Sequence, residues 1–385
     1  MSDSSPSPNR RKFLKMAGAG VLGVAALGIG YASQIPSLQE SLTKEQHAES
    51  QATSLQSRLD HLSQGGYLYA FGQNAVSALD MRNNQPILSA ATNFVIDNIG
   101  THAKPDALGR IWGIHNEPGQ PYPSRTKQSW ILSVDPIGMN VLQQFPVGGH
   151  LNAAEPTPDG KFVIQAASGK NLANIIDTQT LQISQTLQTG NWPCDIHALP
   201  DGKFAYIPNR NDDTITEIDL NALAVSKTLP LPKGSGPSML TVSPDGKYIF
   251  IENSGKYSDQ VGTSVSEGSP NETIIERSSG NVVKQIIFPD NGSPGVDNFT
   301  PDGRYTFVTL FGKTGGLAVI DVGTLSLVTV IPIPGAPSGI QVGPDGKYAY
   351  AGTPEGVVVV DVSSLSVDRV VKFPGGSPQI VKVAK

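Results

Sequence analysis

Three side chains that could bind a metal ion, His102, Glu155 and His197, occupy matching places in a repeated pattern of the sequence. Each lies three residues before the proline of a recurring turn, so each is expected on the equivalent strand of its own repeat. Two imidazoles and a carboxylate from separate strands are a typical ligand set for a divalent metal ion with open positions. Asp195, two residues before His197, could accept a hydrogen bond from the imidazole.

The same place in every repeat holds a polar residue, and the next place holds an apolar one. Because side chains alternate between the two faces of a strand, this switch predicts a polar ring toward a central channel and an apolar face toward neighbouring repeats. The ring offers two interpretations, a ligand or metal site and a hydrated channel wall that binds nothing. Its seven members are His102, Glu155, His197, Thr241, Asn298, Gln341 and Lys382.

The turn that defines these places is Pro-Asp-Gly followed by Lys or Arg. Proline presets φ for a turn, aspartate can hydrogen-bond the turn backbone, and glycine accepts a positive φ, so the motif predicts a hairpin between two short strands. Its spacing of about 40–50 residues is typical of a repeat architecture. The turn begins at Pro158, Pro200, Pro244, Pro301 and Pro344, and Pro105 begins a degraded copy.

A second marker, an acidic residue that ends a β-branched run, gives seven units of four strands each. Radial repetition of four-stranded units predicts an all-β, seven-bladed β-propeller over residues 66–385. The first unit starts at residue 66 on a second strand, and the chain from 376 to 383 supplies a first strand without a second. We expect these two halves to complete one blade, so that the ends of the domain close the ring.

The residues of this repeat resemble a known family. Phe204-Ala205-Tyr206-Ile207-Pro208-Asn209 and the later Ile175-Ile176-Asp177-Thr178 are similar to the YVTN-type β-propeller repeat. The resemblance implies the propeller fold and leaves the function open, since such propellers include surface proteins, binding platforms and enzymes. Two longer repeats contain insertions, at 116–128 in the second blade and 256–271 in the fifth, which we expect to form loops on one rim.

Composition limits the classes of function. The net charge is −5, and no basic stripe follows the N-terminus, which argues against a nucleic-acid partner. The single cysteine, Cys194, excludes a disulfide within one chain and a cysteine-based zinc cluster.

The N-terminal segment reads as a targeting signal. Arg10 and Arg11 precede Phe13-Leu14-Lys15 and an uncharged run over 16–32, which resembles a twin-arginine export signal. This resemblance implies the twin-arginine export machinery as a partner and a periplasmic or extracytoplasmic location. If residues 16–32 are not cleaved, they would anchor the protein to the membrane. Residues 33–65 contain leucines at steps of three and four, which favours a helical spacer or stalk.

The sequence contains no recognisable catalytic constellation. We therefore expect an exported propeller that acts as a binding or interaction module for an envelope protein or a small-molecule ligand. The alternative is a periplasmic enzyme, oxidoreductase-like or lactonase-like, that depends on a cofactor or on a divalent metal in the central channel. His102, Glu155 and His197 would carry that metal, while the lactonase interpretation rests on analogy of fold alone.

Overall fold

Each repeat folds into one four-stranded antiparallel sheet in the computed structural model, and the described residues contain seven such sheets. The structure describes residues 67–71, 75–91, 98–99, 106, 110–116, 129–135, 140–147, 151–257, 264–265, 270–312, 315–372 and 379–382. The chain divides into two units, Met1–Gln64 and Gly65–Lys385, and the seven sheets belong to the second. The predicted export signal and helical spacer lie outside the described residues.

Strands are numbered in chain order and sheets as blades. Blade 1 contains β1 (Tyr67–Phe71), β2 (Ala75–Asp80), β3 (Gln85–Ala91) and the last strand, β30 (Gln379–Lys382). Blade 2 contains β4 (Asn98–Ile99), β5 (Ile111–Asn116), β6 (Ser129–Asp135) and β7 (Asn140–Pro146). Blade 3 contains β8 (Ala153–Pro156), β9 (Phe162–Ala167), β10 (Leu172–Asp177) and β11 (Ile183–Gln188). Blade 4 contains β12 (His197–Ala198), β13 (Phe204–Asn209), β14 (Thr214–Asp219) and β15 (Ala224–Pro230).

Blade 5 carries an extra hairpin. Its four strands are β16 (Pro237–Val242), β17 (Tyr248–Asn253), β20 (Asn271–Glu276) and β21 (Val282–Ile287), and the hairpin consists of β18 (Lys256–Tyr257) and β19 (Ser264–Val265). Blade 6 contains β22 (Ser293–Phe299), β23 (Tyr305–Phe311), β24 (Gly316–Asp321) and β25 (Ser326–Pro332). Blade 7 contains β26 (Gly339–Val342), β27 (Tyr348–Thr353), β28 (Gly356–Asp361) and β29 (Ser366–Val371).

The blades form a closed ring, which confirms the predicted seven-bladed propeller. The first strands of successive blades contact one another all the way around, in the order β30, β4, β8, β12, β16, β22, β26 and back to β30. Strand β30 pairs with β1 in antiparallel register, Leu68 opposite Lys382 and Phe71 opposite Gln379. The predicted closure by the two ends of the domain is therefore confirmed. Closure matters physically because it removes two open sheet edges.

The Pro-Asp-Gly turns form as their residue types dictate. The glycines of the five turns have φ between +69° and +71°. In blade 5 the Asp245 carboxylate accepts hydrogen bonds from the Ser243 hydroxyl (2.6 Å) and from the Lys247 backbone N–H (2.9 Å). The Ser243 hydrogen bond is the main cause that lowers the pKa of Asp245. The turn is therefore held by its own side chain, as the motif predicts.

The opposite faces of each sheet pack against different neighbours. Residues two and four before the turn proline face the preceding blade: Ile340 and Val342 of blade 7, for example, pack with Phe307 and Leu317 of blade 6. Residues three before the proline lie on the other face, toward the following blade. This alternation decides which side chains can meet between two blades.

Among the described residues, no helix is long and apolar enough to cross a membrane.

Candidate functional site

The polar ring predicted from the sequence links neighbouring first strands. Oε1 of Glu155 accepts a hydrogen bond from the backbone N–H of Ala198 in the next blade (3.2 Å). Oδ1 of Asn298 accepts one from the equivalent N–H of Val342 (2.9 Å). The first strand of a blade is a sheet edge with unpaired backbone groups, and these side chains satisfy one N–H of it. At these two places the ring has a structural use.

The ring residues differ in exposure. Glu155, Thr241 and Gln341 are buried, whereas His197 and Asn298 are partly exposed. Lys382 lies in β30.

Glu155 lies in blade 3 and His197 in the adjacent blade 4. The hydrogen bond that Glu155 accepts comes from the backbone N–H of Ala198, the residue after His197. Asp195 is buried just before β12. His102 lies outside the described residues, so the predicted three-ligand metal site stays a prediction.

A different group of titratable side chains lies between blades 5 and 6. Glu252 near the end of β17 lies opposite Glu272 near the start of β20 in the sheet register. Asp297 of β22 joins them from blade 6, and the three side chains offer ligand atoms within 4.8 Å of one another. All three residues are buried, with 0%, 0% and 1% of their surface exposed. We call Glu252, Glu272 and Asp297 the acidic triad.

The acidic triad has few partners for its oxygens. When all three groups are ionised, no donor reaches either carboxylate oxygen of Glu252 or Glu272, or Oδ1 of Asp297. A proton held by Glu252 could be shared with Asp297. Oδ2 of Asp297 accepts a long hydrogen bond of 3.4 Å from the Thr306 hydroxyl. Most buried polar groups in proteins are hydrogen-bonded, so this concentration of unpartnered oxygens is unusual.

Burial and mutual repulsion control the protonation of the triad. Burial, followed by the charge of Asp297, raises the pKa of both glutamates well above the usual range. Burial also raises the pKa of Asp297 to about 7. Among the described residues no cationic side chain acts on the pKa of either glutamate, and the charged groups that act on them are carboxylates.

The backbone near Asp297 is irregular and closely packed. The register of β22 shifts between Pro294 and Asp297, and such irregularities commonly redirect side chains near functional sites. Within this stretch, Gly295 has no room for a Cβ atom because Phe311 and Thr309 occupy the space. Beyond Glu252, the carbonyl of Gly255 accepts a hydrogen bond from the Arg210 guanidinium of blade 4 (2.5 Å).

The triad lies at the base of the fifth-blade insertion, because the insertion connects β17 to β20. Adjacent antiparallel strands place this connection at the end of the blade opposite the Pro-Asp-Gly turns. The second-blade insertion connects the equivalent strands β5 and β6. Its flanking residues, His115 and Trp130, match Glu252 and Glu272 in register, and their rings stack with centroids 5.5 Å apart. Both insertions therefore leave from the same face of the ring.

Sequence reasoning missed the triad because it compared the places two and three before the turn proline. Asp297 lies four before its proline, where the other described blades have Ala154, Ile196, Leu240 and Ile340. A carboxylate in an otherwise apolar column was the signal that could have revealed it.

Comparison with known proteins gives a partial family match. The family described as "Lactonase, 7-bladed beta-propeller" matches residues 161–262. The seven-bladed beta-propeller protein Rv1057 of Mycobacterium tuberculosis (strain ATCC 25618 / H37Rv) is 28% identical over 120 residues. That match covers 30% of this chain and only 30% of the length of the relative.

Solved structures share the fold over most of the chain. The periplasmic gluconolactonase PpgL of Pseudomonas aeruginosa is similar with a TM-score of 0.63 and 16% identity, over 83% of this chain and 99% of that one. A putative 6-phosphogluconolactonase of Bacteroides uniformis ATCC 8492 gives 0.58 and 18%, over 82% and 96%. Kuenenia stuttgartiensis hydrazine synthase gives 0.54 and 23%, over 65% and 79%. At these identities the likeness concerns the fold, and the chain is a seven-bladed propeller.

Proposed function

We propose that this propeller is an enzyme that hydrolyses a small cyclic ester at its central channel, with Glu155 and His197 in the site. The observation that carries the proposal is their pairing across blades: the Ala198 N–H binds Glu155 and so places its carboxylate against the strand of His197. The match of residues 161–262 to seven-bladed lactonases supports the choice of substrate class. This function replaces the binding module as our main interpretation.

The chemistry needs a base and a water molecule. An imidazole can remove a proton from water as the water attacks the ester carbonyl, and it can return that proton to the leaving alcohol oxygen. The ring opens, and the product is a hydroxy acid. Partly exposed, His197 is accessible to solvent and supplies the base in this proposal, while Glu155 holds the strand of His197 through the Ala198 N–H.

The test measures hydrolysis of glucono-1,5-lactone by the purified full-length chain, monitored as proton release above the spontaneous rate. We expect turnover that falls about 100-fold or more in His197→Gln, since general base catalysis contributes about 10²–10⁴-fold. His115→Gln is the matched control because His115 stacks on Trp130 at the end of β5. Turnover that is unaffected by His197→Gln would contradict the assignment of the base.

Absence of turnover on a panel of sugar lactones would instead favour a binding module for an envelope protein or a small ligand. One observation supports that second candidate: the two insertions leave from the same face of the ring. Export by the twin-arginine machinery, with a periplasmic location, is part of both proposals and rests on the N-terminal sequence alone.

A further inference from the structure

The acidic triad occupies places that are apolar between blades 3 and 4 and between blades 4 and 5. The three equivalent places between blades 3 and 4 hold Ala166, Ala173 and Ile196, which belong to one apolar cluster. Between blades 4 and 5, the matching Ile215 and Leu240 also share an apolar cluster. The fold therefore has no need of charge at these places.

Burial of three carboxylates without partners is costly. Each ionised carboxylate that loses water costs several kcal/mol unless another charge or hydrogen bonds compensate it. Protonation would remove charge and let Glu252 and Asp297 share a hydrogen bond, but Glu272 would keep buried oxygens without a partner, at a cost of about 1–3 kcal/mol for each unsatisfied group. One cation bound by all three side chains would remove both costs together.

We propose that Glu252, Glu272 and Asp297 bind one oxygen-preferring divalent cation between blades 5 and 6. The oxygens lie within 4.8 Å of one another, and two oxygens at a typical Ca²⁺ distance of about 2.3–2.6 Å lie at most about 5 Å apart. An all-carboxylate set favours hard ions such as Ca²⁺, Mg²⁺ and Mn²⁺ over softer ones. Carboxylates that bind through one or two oxygens leave further positions for water.

The site has a mechanical role in this proposal. Glu252 and Glu272 lie on the two strands from which the fifth-blade insertion leaves, and Asp297 lies on the first strand of blade 6. The cation therefore joins blade 5 to blade 6 at the base of the insertion. It is separate from the channel site of Glu155 and His197, so either can fail without the other.

The experiment uses the full chain stripped of metal with EDTA and titrated with Ca²⁺ by isothermal calorimetry. Electron paramagnetic resonance of bound Mn²⁺ then counts the sites. We expect one site per chain. If the native chain binds none of Ca²⁺, Mg²⁺ and Mn²⁺ at millimolar concentration, the proposal is overturned.

Matched variants locate the site. Asp297→Asn keeps the shape and removes one charge, and we expect it to weaken Ca²⁺ affinity at least tenfold. The variant Glu252→Ala, Glu272→Ala, Asp297→Ile reproduces the apolar set of blades 3 and 4, and we expect it to abolish binding. If this triple variant does not fold, Asp297→Asn still decides the question.

Glu217→Gln is the control for loss of a buried carboxylate. Glu217 already accepts hydrogen bonds from Tyr206 (2.9 Å) and Ser226 (2.5 Å) in blade 4. We expect this variant to bind one Ca²⁺ with native affinity. Equal affinity in the native chain and in the triad variants would overturn the proposal.

Discussion

The interface between blades 3 and 4 and the interface between blades 5 and 6 use the same three places for opposite purposes. In the first, Ala166, Ala173 and Ile196 pack as an apolar core. In the second, the acidic triad fills those places with unpartnered oxygens. Because both interfaces belong to the same repeat, the fold does not require charge at these places, and the proposed cation accounts for the difference. Repetition thus provides an internal control that a non-repeating protein lacks.

The largest effect is expected when a charge is placed in the apolar interface. Ile196→Asp puts one carboxylate into the core between blades 3 and 4, where nothing compensates it. We expect it to lower the free energy of unfolding by roughly 3–5 kcal/mol, measured by urea denaturation. The control Ile196→Asn introduces polarity without charge and should cost less. If Ca²⁺ restores the stability of Ile196→Asp, one carboxylate at this place is enough for binding. The two interfaces would then not differ in their ability to bind a cation.

The next effect is a pH dependence of the triad interface in EDTA. The folded pKa of Asp297 is raised from 3.8 to about 7, so the unfolded chain loses this proton at lower pH than the folded chain does. The contribution of Asp297 to the free energy of unfolding is therefore fully present below about pH 4 and is lost as the pH rises through about 7, by roughly 4 kcal/mol. Burial is the main cause of the raised pKa of Asp297; hydrogen bonds with Glu252 of blade 5 and with Thr306 lower that pKa, and the charge of Asp195 of blade 4 raises it.

Thermal and urea unfolding between about pH 4 and pH 8 measure this dependence. Saturating Ca²⁺ should stabilise the protein increasingly as the pH rises, because protons compete with the cation. In the triple variant Glu252→Ala, Glu272→Ala, Asp297→Ile, the free energy of unfolding should not show the decrease with rising pH that the triad causes. A native chain whose stability in EDTA shows no such fall would contradict the raised pKa of Asp297.

A smaller effect separates the ring from the triad. Asn298→Ala removes the acceptor for the Val342 N–H and should cost about 1–3 kcal/mol in unfolding free energy. Asn298→Asp keeps an acceptor at the same place and should cost less. In EDTA at pH 8, Asp297→Asn should have the opposite sign and stabilise the protein, since it relieves repulsion. If Asn298→Ala and Asp297→Asn both destabilise the protein, both side chains have a structural role.

The smallest effect concerns the turns, where blades differ by one hydrogen bond. Asp245 accepts hydrogen bonds from the Ser243 hydroxyl and from a backbone N–H. Asp201 in blade 4 accepts one from the Lys203 N–H, and Leu199 stands there at the place of Ser243. Asp245→Ala should therefore cost about 0.5–1 kcal/mol more than Asp201→Ala. Equal losses in urea unfolding would mean that the hydroxyl contributes nothing.

The sequence predicted the fold because the fold is periodic. Pro-Asp-Gly marks the first hairpin of a blade, and the acid at the end of the third strand marks the second. Asp361, for example, ends β28 and accepts hydrogen bonds from the backbone N–H groups of Ser363 and Ser364. Local turn chemistry of this kind is encoded within a few residues, so it can be read without a structure.

The candidate sites could be predicted only in part. The polar ring was visible because its members share one place in the repeat. That Glu155 reaches the backbone of the next blade depends on the packing of two sheets, which no local pattern records. The triad was harder still, since the insertion separates Glu252 from Glu272 and Asp297 belongs to another blade.

The pairing of β30 with β1 has a consequence for biosynthesis. A ribosome makes β1 first among the strands and β30 last, so blade 1 stays one strand short while the other six blades are translated. The edge of β1 is exposed during that time and could pair with a wrong strand. Blade 1 can therefore close only once β30 has been made, after the strands of the other six blades.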